Sequence, residues 1–152
     1  MKDFEEVLAG HPLFRDLAPE HLQVLLSCAC MSTLNEGEYL FREGDGSSRF
    51  YAVIDGRVAL ELHVPGRGPV VLQTLGAGEL IGWSWLVPPF RKQFDARAVQ
   101  KCRLVQVEGD KVRTECQRDS NLGYALLSRV SQVMSQRLQA TLLQLVDMYG
   151  RE

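Results

Sequence analysis

The spacing of hydrophobic and polar positions changes twice along this chain and divides it into three regions. Helical spacing near the N-terminus predicts two short helices, over residues 3–9 and 19–29. From about residue 31 to residue 108, apolar and polar positions alternate over short runs, which is typical of β-strands. Helical spacing then returns and predicts a short helix over 111–117 and a long helix over about 120–149.

The middle region is predicted to form a β-sandwich or barrel. The predicted strands are 39–41, 50–54, 57–64, 70–75, 94–99 and 103–107. Asp55-Gly56 favours a two-residue hairpin between the second and third of these strands, because both turn positions of such a hairpin need positive φ. Short strands separated by glycine-rich turns indicate a closed or two-layered β structure. The chain is therefore expected to be one domain over residues 1–152, mainly β with flanking helices.

The long helix carries one apolar seam, at spacings of three, four and seven residues. The seam comprises Leu127, Val130, Met134, Leu138, Thr141, Leu145 and Met148. A helix of this length extends beyond what a small barrel can cover, so we expect the seam to meet the same helix of a second copy in a homodimer. The alternative is a helix that lies wholly on its own barrel.

The stretch from Gly76 to Ala98 has the most unusual composition in the chain. Gly82 follows an apolar pair and precedes two closely spaced tryptophans, Trp83 and Trp85, and the stretch later carries Arg91-Lys92. This order predicts a strand end, one short helical turn and a loop with two cations. Backbone N–H groups at a helix start, with positive charge nearby, favour an anion-binding site. The alternatives are a plain packing turn and a solvated basic loop.

Composition limits the classes of function. The 152 residues are 45% hydrophobic and 24% charged, with a net charge of -2, which gives no reason to expect nucleic-acid binding by the domain as a whole. The acidic N-terminus and the lack of a long apolar run predict a cytoplasmic protein without a membrane span. The four cysteines are expected to be buried, reduced thiols rather than disulfides or metal ligands. No catalytic constellation is evident, so an enzyme is not expected.

Several motifs together resemble the cyclic nucleotide-binding domain of the cAMP receptor (CRP/FNR) superfamily. They are HPLFRDLAPEHL (11–22), EGEYLFREGD (36–45), FYAVIDGRVAL (50–60), LGAGELIG (75–82) and RLQAT (137–141). The resemblance covers nearly the whole chain. It implies a jelly-roll-like β-roll with a long C-terminal dimerisation helix. The DNA-binding domain that follows this helix in the family's transcription factors has no counterpart in the 152 residues.

The resemblance also implies which residues would contact a ligand, matched position by position. Gly82 fits the family's glycine, but Trp83 stands where the family has the glutamate that binds the ribose 2′-hydroxyl. The loop is about one residue shorter, so the phosphate-binding arginine falls near Lys92 or Gln93 and the small residues near Gln93 and Phe94. These differences argue against ordinary cAMP binding, because tryptophan offers no acceptor and lysine does not replace a bidentate arginine.

The long helix is also matched to the family. Arg137 and Thr141 match, and Thr141 takes the position that reaches the nucleobase. Leu142 takes the position where a serine of the partner subunit would assist.

The expected function is a non-enzymatic, homodimeric module that senses a ligand and is read by an unidentified protein partner. No cofactor is assigned, and the ligand would be a cyclic nucleotide or another small anionic or aromatic molecule. The expected contacts are Gly82, Trp83, Ser84, Arg91, Lys92, Gln93, Arg137 and Thr141. One alternative is an interaction scaffold whose pocket is filled by Trp83 and Trp85. The other is a truncated transcription regulator of the same family, and direct DNA binding is otherwise not expected.

Overall fold

The fold was obtained as a computed structural model, which describes residues 4–46 and 48–150. The helices are α1 (Phe4–Gly10), α2 (Pro19–Ser27), α3 (Gly109–Arg118) and α4 (Ser120–Tyr149), and the strands are β1 (Ala29–Leu34), β2 (Tyr39–Phe41), β3 (Arg49–Asp55), β4 (Val58–Val64), β5 (Gly68–Leu75), β6 (Leu80–Ile81), β7 (Asp95–Ala98) and β8 (Cys102–Glu108). Each predicted strand is confirmed, with ends that differ by no more than two residues. The sequence does not distinguish β1, because this strand lies at a sheet edge and its side chains do not alternate cleanly between buried and exposed.

The strands form two four-stranded antiparallel sheets, in the orders β1-β8-β3-β6 and β2-β7-β4-β5. Alternate side chains of β3 point to opposite faces, as a pleated strand requires. Tyr51 and Val53 join an apolar core that residues from both sheets form. Phe50 and Ala52 instead join a second core, in which residues of the helices pack on the first sheet. The resulting β-roll with flanking helices confirms the predicted fold class.

The hairpin predicted at Asp55-Gly56 is wrong. Strand β3 belongs to the first sheet and β4 to the second, so the turn carries the chain from one sheet to the other. Gly56 alone of the pair has positive φ (95°), and a Cβ there would lie 2.5 Å from the carbonyl oxygen of Lys101. The position is therefore fixed by a close backbone approach as well as by its φ angle. The local hairpin is β4–β5, which closes between Val64 and Gly68.

Helix α4 has the predicted bounds. The Asp119 side chain accepts hydrogen bonds from the backbone N–H groups of Asn121 and Leu122, which caps the helix start. The buried residues of α4 are Leu122, Leu126 and Val130, all in its first half. Val133 is partly buried against the same core, and the large apolar side chains beyond it are exposed: Met134, Leu138, Leu142, Leu143, Leu145, Val146, Met148 and Tyr149. Among the residues that the structure describes, no helix is both long and apolar enough to cross a bilayer.

The cysteines are all free thiols, but not all are buried. Cys28 and Cys102 are buried and Cys116 is half-buried, as small apolar side chains would be. Cys30 is exposed on the edge strand β1, so the expectation of four buried thiols is wrong for this residue.

Candidate functional site

The site begins at the turn that follows β6. Gly82 has a φ of 89°, which redirects the chain out of the sheet. A single turn follows, closed by a hydrogen bond of 3.0 Å from the N–H of Leu86 to the carbonyl oxygen of Trp83. Within the described residues 82–94 the chain forms no α-helix. The anion-binding argument from a helix start therefore does not apply here, and any charge must come from side chains.

That charge comes from Lys92, whose side chain lies inside the β-roll. Lys92 is 4% exposed, so the expectation of a solvated basic loop is wrong for this residue. Its Nζ donates a 2.8 Å hydrogen bond to the carbonyl oxygen of Arg49 and lies 4.3 Å from the ring centre of Phe41. Burial lowers the pKa of the ammonium to about 8, and the negative charge of Asp45 opposes this shift.

The neighbours of Lys92 in sequence take different positions. Arg91 is exposed, and its side chain donates a 3.0 Å hydrogen bond to the carbonyl oxygen of Gly44. Gln93 is exposed too, and its Nε2 donates to the carbonyl oxygen of Arg91. Arg91 therefore links two loops and is not part of the chamber wall described next. The two cations that were expected to act together are therefore separated: Arg91 lies at the surface and Lys92 is buried.

Two neighbouring cavities lie in this region, and Lys92 lines the smaller one. The smaller, which we call the chamber, has a volume of about 140 Å³ and is lined by Phe41, Leu60, Gly82, Trp83, Ser84, Lys92, Gln93, Phe94 and Arg137. The larger, which we call the groove, has a volume of about 570 Å³ and is lined by Leu60, Leu72, Gln73, Trp83, Phe94, Met134, Ser135, Arg137, Leu138, Thr141 and Gln144. Four side chains border both cavities, which places the chamber and the groove side by side between the β-roll and α4.

The two tryptophans do not act together. Trp83 is half-buried and lines both cavities. Trp85 is 1% exposed and stacks on Phe50, with ring centres 4.8 Å apart, in the core beneath the helices. Its carbonyl oxygen accepts a hydrogen bond from the side chain of Arg113. Trp85 is absent from the walls of the chamber and the groove, so the expectation that both tryptophans fill the pocket is wrong for Trp85.

Arg137 joins α4 to this site. Its guanidinium lies 4.9 Å from the ring centre of Trp83 and donates a hydrogen bond to the carbonyl oxygen of Leu80. Burial lowers the pKa of Arg137 to about 10, a value at which the group is still charged at neutral pH. Thr141 is exposed at the rim, and its hydroxyl donates to the carbonyl oxygen of Arg137, one turn earlier.

Sequence reasoning missed several of these features. The resemblance matched Arg137 to the family but gave no sign that it lies over Trp83, because that contact joins residues far apart in the chain. Leu60 was predicted only as part of the strand over residues 57–64, yet it lines both cavities. Its position in the alternating run of β4 was the available signal, since that run places it on the inner face of the roll.

The walls carry positive charge only. Within the described part of the chain, the titratable side chains that line the chamber and the groove are Lys92 and Arg137, and no Asp or Glu is among the lining residues. The described residues also contain no group of three or more His, Cys, Asp or Glu side chains that could hold a metal ion. The chemistry available is therefore attraction of an anion next to an apolar surface.

Comparison with known proteins gives the family. Residues 31–119 match the family model of the cyclic nucleotide-binding domain. The chain is 33% identical over 99 residues to the cyclic AMP receptor protein of Thermus thermophilus, a match that covers 64% of this chain and 45% of that relative. It is 23% identical over 144 residues to the CRP-like cAMP-activated global transcriptional regulator of Mycobacterium tuberculosis, with 95% and 62% covered. The chain thus spans less than two thirds of the length of these relatives.

A solved structure shows the same fold. The crystal structure of a cyclic nucleotide-binding domain from Methylobacillus flagellatus superposes with a TM-score of 0.83 at 18% identity, covering 95% of this chain and 84% of that one. Identity this low supports the fold alone. The family match spans more than half of the chain and includes both Gly82 and Lys92. The chain therefore belongs to the cyclic nucleotide-binding domain family, with homologues among the CRP-like regulators.

Proposed function

We propose that this regulatory domain senses a small anionic ligand, whose charge is bound by Lys92 next to the Gly82 turn. The observation that carries the proposal is the buried ammonium. Its three N–H groups have one hydrogen-bond acceptor among the described residues, the carbonyl oxygen of Arg49. A buried cation is costly unless it is paired, and an anion in the chamber would supply the missing acceptors.

The family's usual ligand is a cyclic nucleotide, but we propose that this chain does not bind one in the ordinary way. Trp83 occupies the position of the ribose-binding glutamate, and its indole N–H donates but cannot accept a hydrogen bond. Lys92 supplies one compact charge where the family has a two-pronged arginine. Among the residues that the structure describes, no carboxylate lines the chamber in place of the glutamate.

Arg137 is the proposed link between ligand and helix. It borders both cavities, contacts Trp83 and binds the carbonyl oxygen of Leu80, so a ligand that moves Trp83 also changes how α4 is held. Gln73 of β5 adds a long hydrogen bond of 3.4 Å to the hydroxyl of Thr141 on the same helix. The two states would differ in the position of α4 against the β-roll.

We further propose that α4 forms a homodimer through its exposed apolar half. Leu142 and Val146, one turn apart, are 51% and 66% exposed and do not line the groove. A contiguous apolar surface of this kind marks an interaction site in soluble proteins. The two relatives described above are regulators by name, which supports a signalling role in which a protein partner reads the position of α4. The net charge of -2 supports a mechanism without direct DNA contact.

The experiment follows Lys92 itself by NMR, with isotope-labelled lysine in the full chain. Acetate, inorganic phosphate, cAMP and cGMP are titrated in turn, and K92M assigns the signal. Binding of an anion should shift the Lys92 resonance and raise its pKa above about 8. Lys101, which is exposed, serves as the internal control because a general salt effect would move it as well. If no anion, including the decanoate tested below, moves Lys92 selectively, the proposal is wrong.

A further inference from the structure

We infer that the ligand is an apolar monocarboxylate, with its carboxylate in the chamber at Lys92 and its hydrocarbon body along the groove. The inference rests on the proposed anion site and names the chemical class that fits it. It is carried by the shapes, walls and charges of the two cavities.

The chamber is large enough for a head group but not for a whole ligand. Its volume is about 140 Å³, whereas sites that enclose an entire small molecule measure roughly 300–1,000 Å³. The groove beside it measures about 570 Å³ and can take the remainder. Leu60, Trp83, Phe94 and Arg137 border both cavities, so a single molecule can extend from one into the other.

The walls favour a hydrocarbon body. Leu60 and Phe94 form the β-roll side of the groove, Trp83 lies at the junction, and Met134 and Leu138 form the α4 side. The uncharged polar side chains of the groove are Gln73, Ser135, Thr141 and Gln144. A sugar that lay against the apolar residues instead would therefore lose hydrogen bonds at a cost. An alkyl or aromatic body instead removes apolar surface from water on both sides of the groove. The exposed apolar area of α4 next to the groove would be partly covered by the same molecule.

The charge favours a monoanion. In the described lining, the Lys92 ammonium has two N–H groups without an acceptor and lies over the ring of Phe41. The guanidinium of Arg137 binds the carbonyl oxygen of Leu80 and lies on the ring of Trp83, which leaves some of its five N–H groups for a second contact. The compact ammonium of Lys92 is therefore the primary partner of the ligand's charge. A carboxylate matches it with one negative charge and two acceptor oxygens. Asp and Glu are absent from the described lining, so no side chain of the wall repels the head group.

The probes are decanoate, decanol and acetate, titrated by calorimetry into the full-length wild-type chain. Decanol has the same body without the charge, and acetate has the same head without the body. We expect decanoate to bind at least about tenfold more tightly than either one, because it alone uses both cavities. K92M should weaken decanoate by at least about tenfold and leave decanol unchanged. K101M, which removes an exposed lysine elsewhere, should change neither.

Each other outcome overturns the inference. Equal affinity for decanoate and decanol would mean that the head group is not recognised, and this comparison needs only the wild type if K92M does not fold. Decanoate binding that appears only when the protein is diluted to a monomer would mean that a second copy fills the groove. Selective binding of acetate, phosphate or cAMP at Lys92 without decanoate binding would reject the ligand class but keep the anion sensor. No effect of any anion on Lys92 would reject both.

Discussion

The Nζ atom of Lys92 lies 2.9 Å from the position that a Cβ would occupy at Gly82. The ammonium therefore uses space that only a glycine leaves open. Both residues lie in the stretch that the sequence singled out, but that stretch gave no sign that they touch. A glycine needed for its φ angle also makes room for the one buried ammonium that the described site contains.

Substitution of Gly82 by alanine should abolish anion binding, whereas the same substitution at Gly37 should lower stability by a similar amount and leave binding intact. G82A would place a methyl group against Nζ and displace the ammonium, so anion binding at Lys92 should be lost. G37A is the matched control, because Gly37 has a similar φ of 86° with nothing within 4 Å of the added Cβ. Both variants should lose about 1–2 kcal/mol of unfolding free energy from the strained φ. Chemical denaturation measures the unfolding free energy, and the anion titrations described above measure binding. Anion binding at Lys92 that persists in G82A would contradict the prediction.

Replacing Lys92 should stabilise the fold. Burial lowers its pKa to about 8 from 10.5, so at neutral pH the folded state carries the charge at an energetic cost. K92M should raise the free energy of unfolding by about 1–3 kcal/mol at pH 7, less what is lost with the hydrogen bond to Arg49. Denaturation of the wild type, K92M and K101M makes the comparison. A destabilised K92M would indicate a structural lysine.

The same pKa gives a pH dependence with a definite sign. Between pH 8 and 10.5 the unfolded state holds the Lys92 proton more tightly than the folded state, so wild-type stability should rise relative to K92M as the pH rises through this range. Anion affinity should fall over the same range, because the neutral amine no longer attracts the ligand. Tyr51, whose ring centre lies 5.9 Å from Nζ, has a raised pKa and stays neutral as the lysine loses its proton. Affinity that stays constant to pH 10 would contradict the assignment of Lys92 as the anion site.

His11 should make the stability of the fold depend on pH in the acid range. Its Nδ1 accepts a hydrogen bond from the N–H of Leu13, so the proton lies on Nε2, which faces the carbonyl oxygen of Val53. Burial lowers the pKa of His11 below 6.5. The unfolded chain therefore takes up the proton first, and the stability contributed above pH 6.5 is lost as the pH falls. Thermal unfolding at pH 7 and pH 5 should show a smaller pH effect in H11Q than in the wild type, while H63Q, at an exposed position near the end of β4, should behave like the wild type.

The proposed dimer can be tested on α4. Leu145 is 47% exposed, and L145E would place a charge in the apolar seam. Light scattering at micromolar concentration should show a dimer for the wild type and a monomer for L145E. Q139E adds the same charge to the same helix outside the seam and should remain dimeric. A monomeric wild type would contradict the proposal.

The fold could be predicted from the sequence because its signals are local. The alternation in β4 and the helical spacing in α4 gave the elements with nearly correct ends. Which strands pair with each other depends on residues that are distant in the sequence, so pairing is harder to predict. Asp55-Gly56 is an example. The dipeptide does make a turn, but whether that turn joins two strands of one sheet or crosses between sheets depends on distant residues such as Lys101, which lies against Gly56.

The site was less predictable for the same reason. The residue types correctly indicated the stretch around Gly82, but the predicted orientations of some side chains were wrong. A tryptophan two positions after another was expected to face the same pocket. The turn instead sends Trp85 into the core, where a Cβ at Gly109 would lie 2.7 Å from its ring. Lysine is almost never fully buried, so its residue type favours a surface position for Lys92. The burial of Lys92 is seen only in the structure.

The pairing of β1 with β8 has a consequence for how the chain assembles during synthesis. The β4–β5 hairpin joins neighbouring segments and can form soon after it leaves the ribosome, but the first sheet needs its last strand before β1 and β3 gain a common neighbour. Until β8 emerges, the apolar faces of α1 and α2 have no completed sheet to cover. A growing chain of this fold is thus prone to aggregation until β8, which ends at Glu108, has left the ribosome. We expect chaperones that bind nascent chains to protect it over that interval.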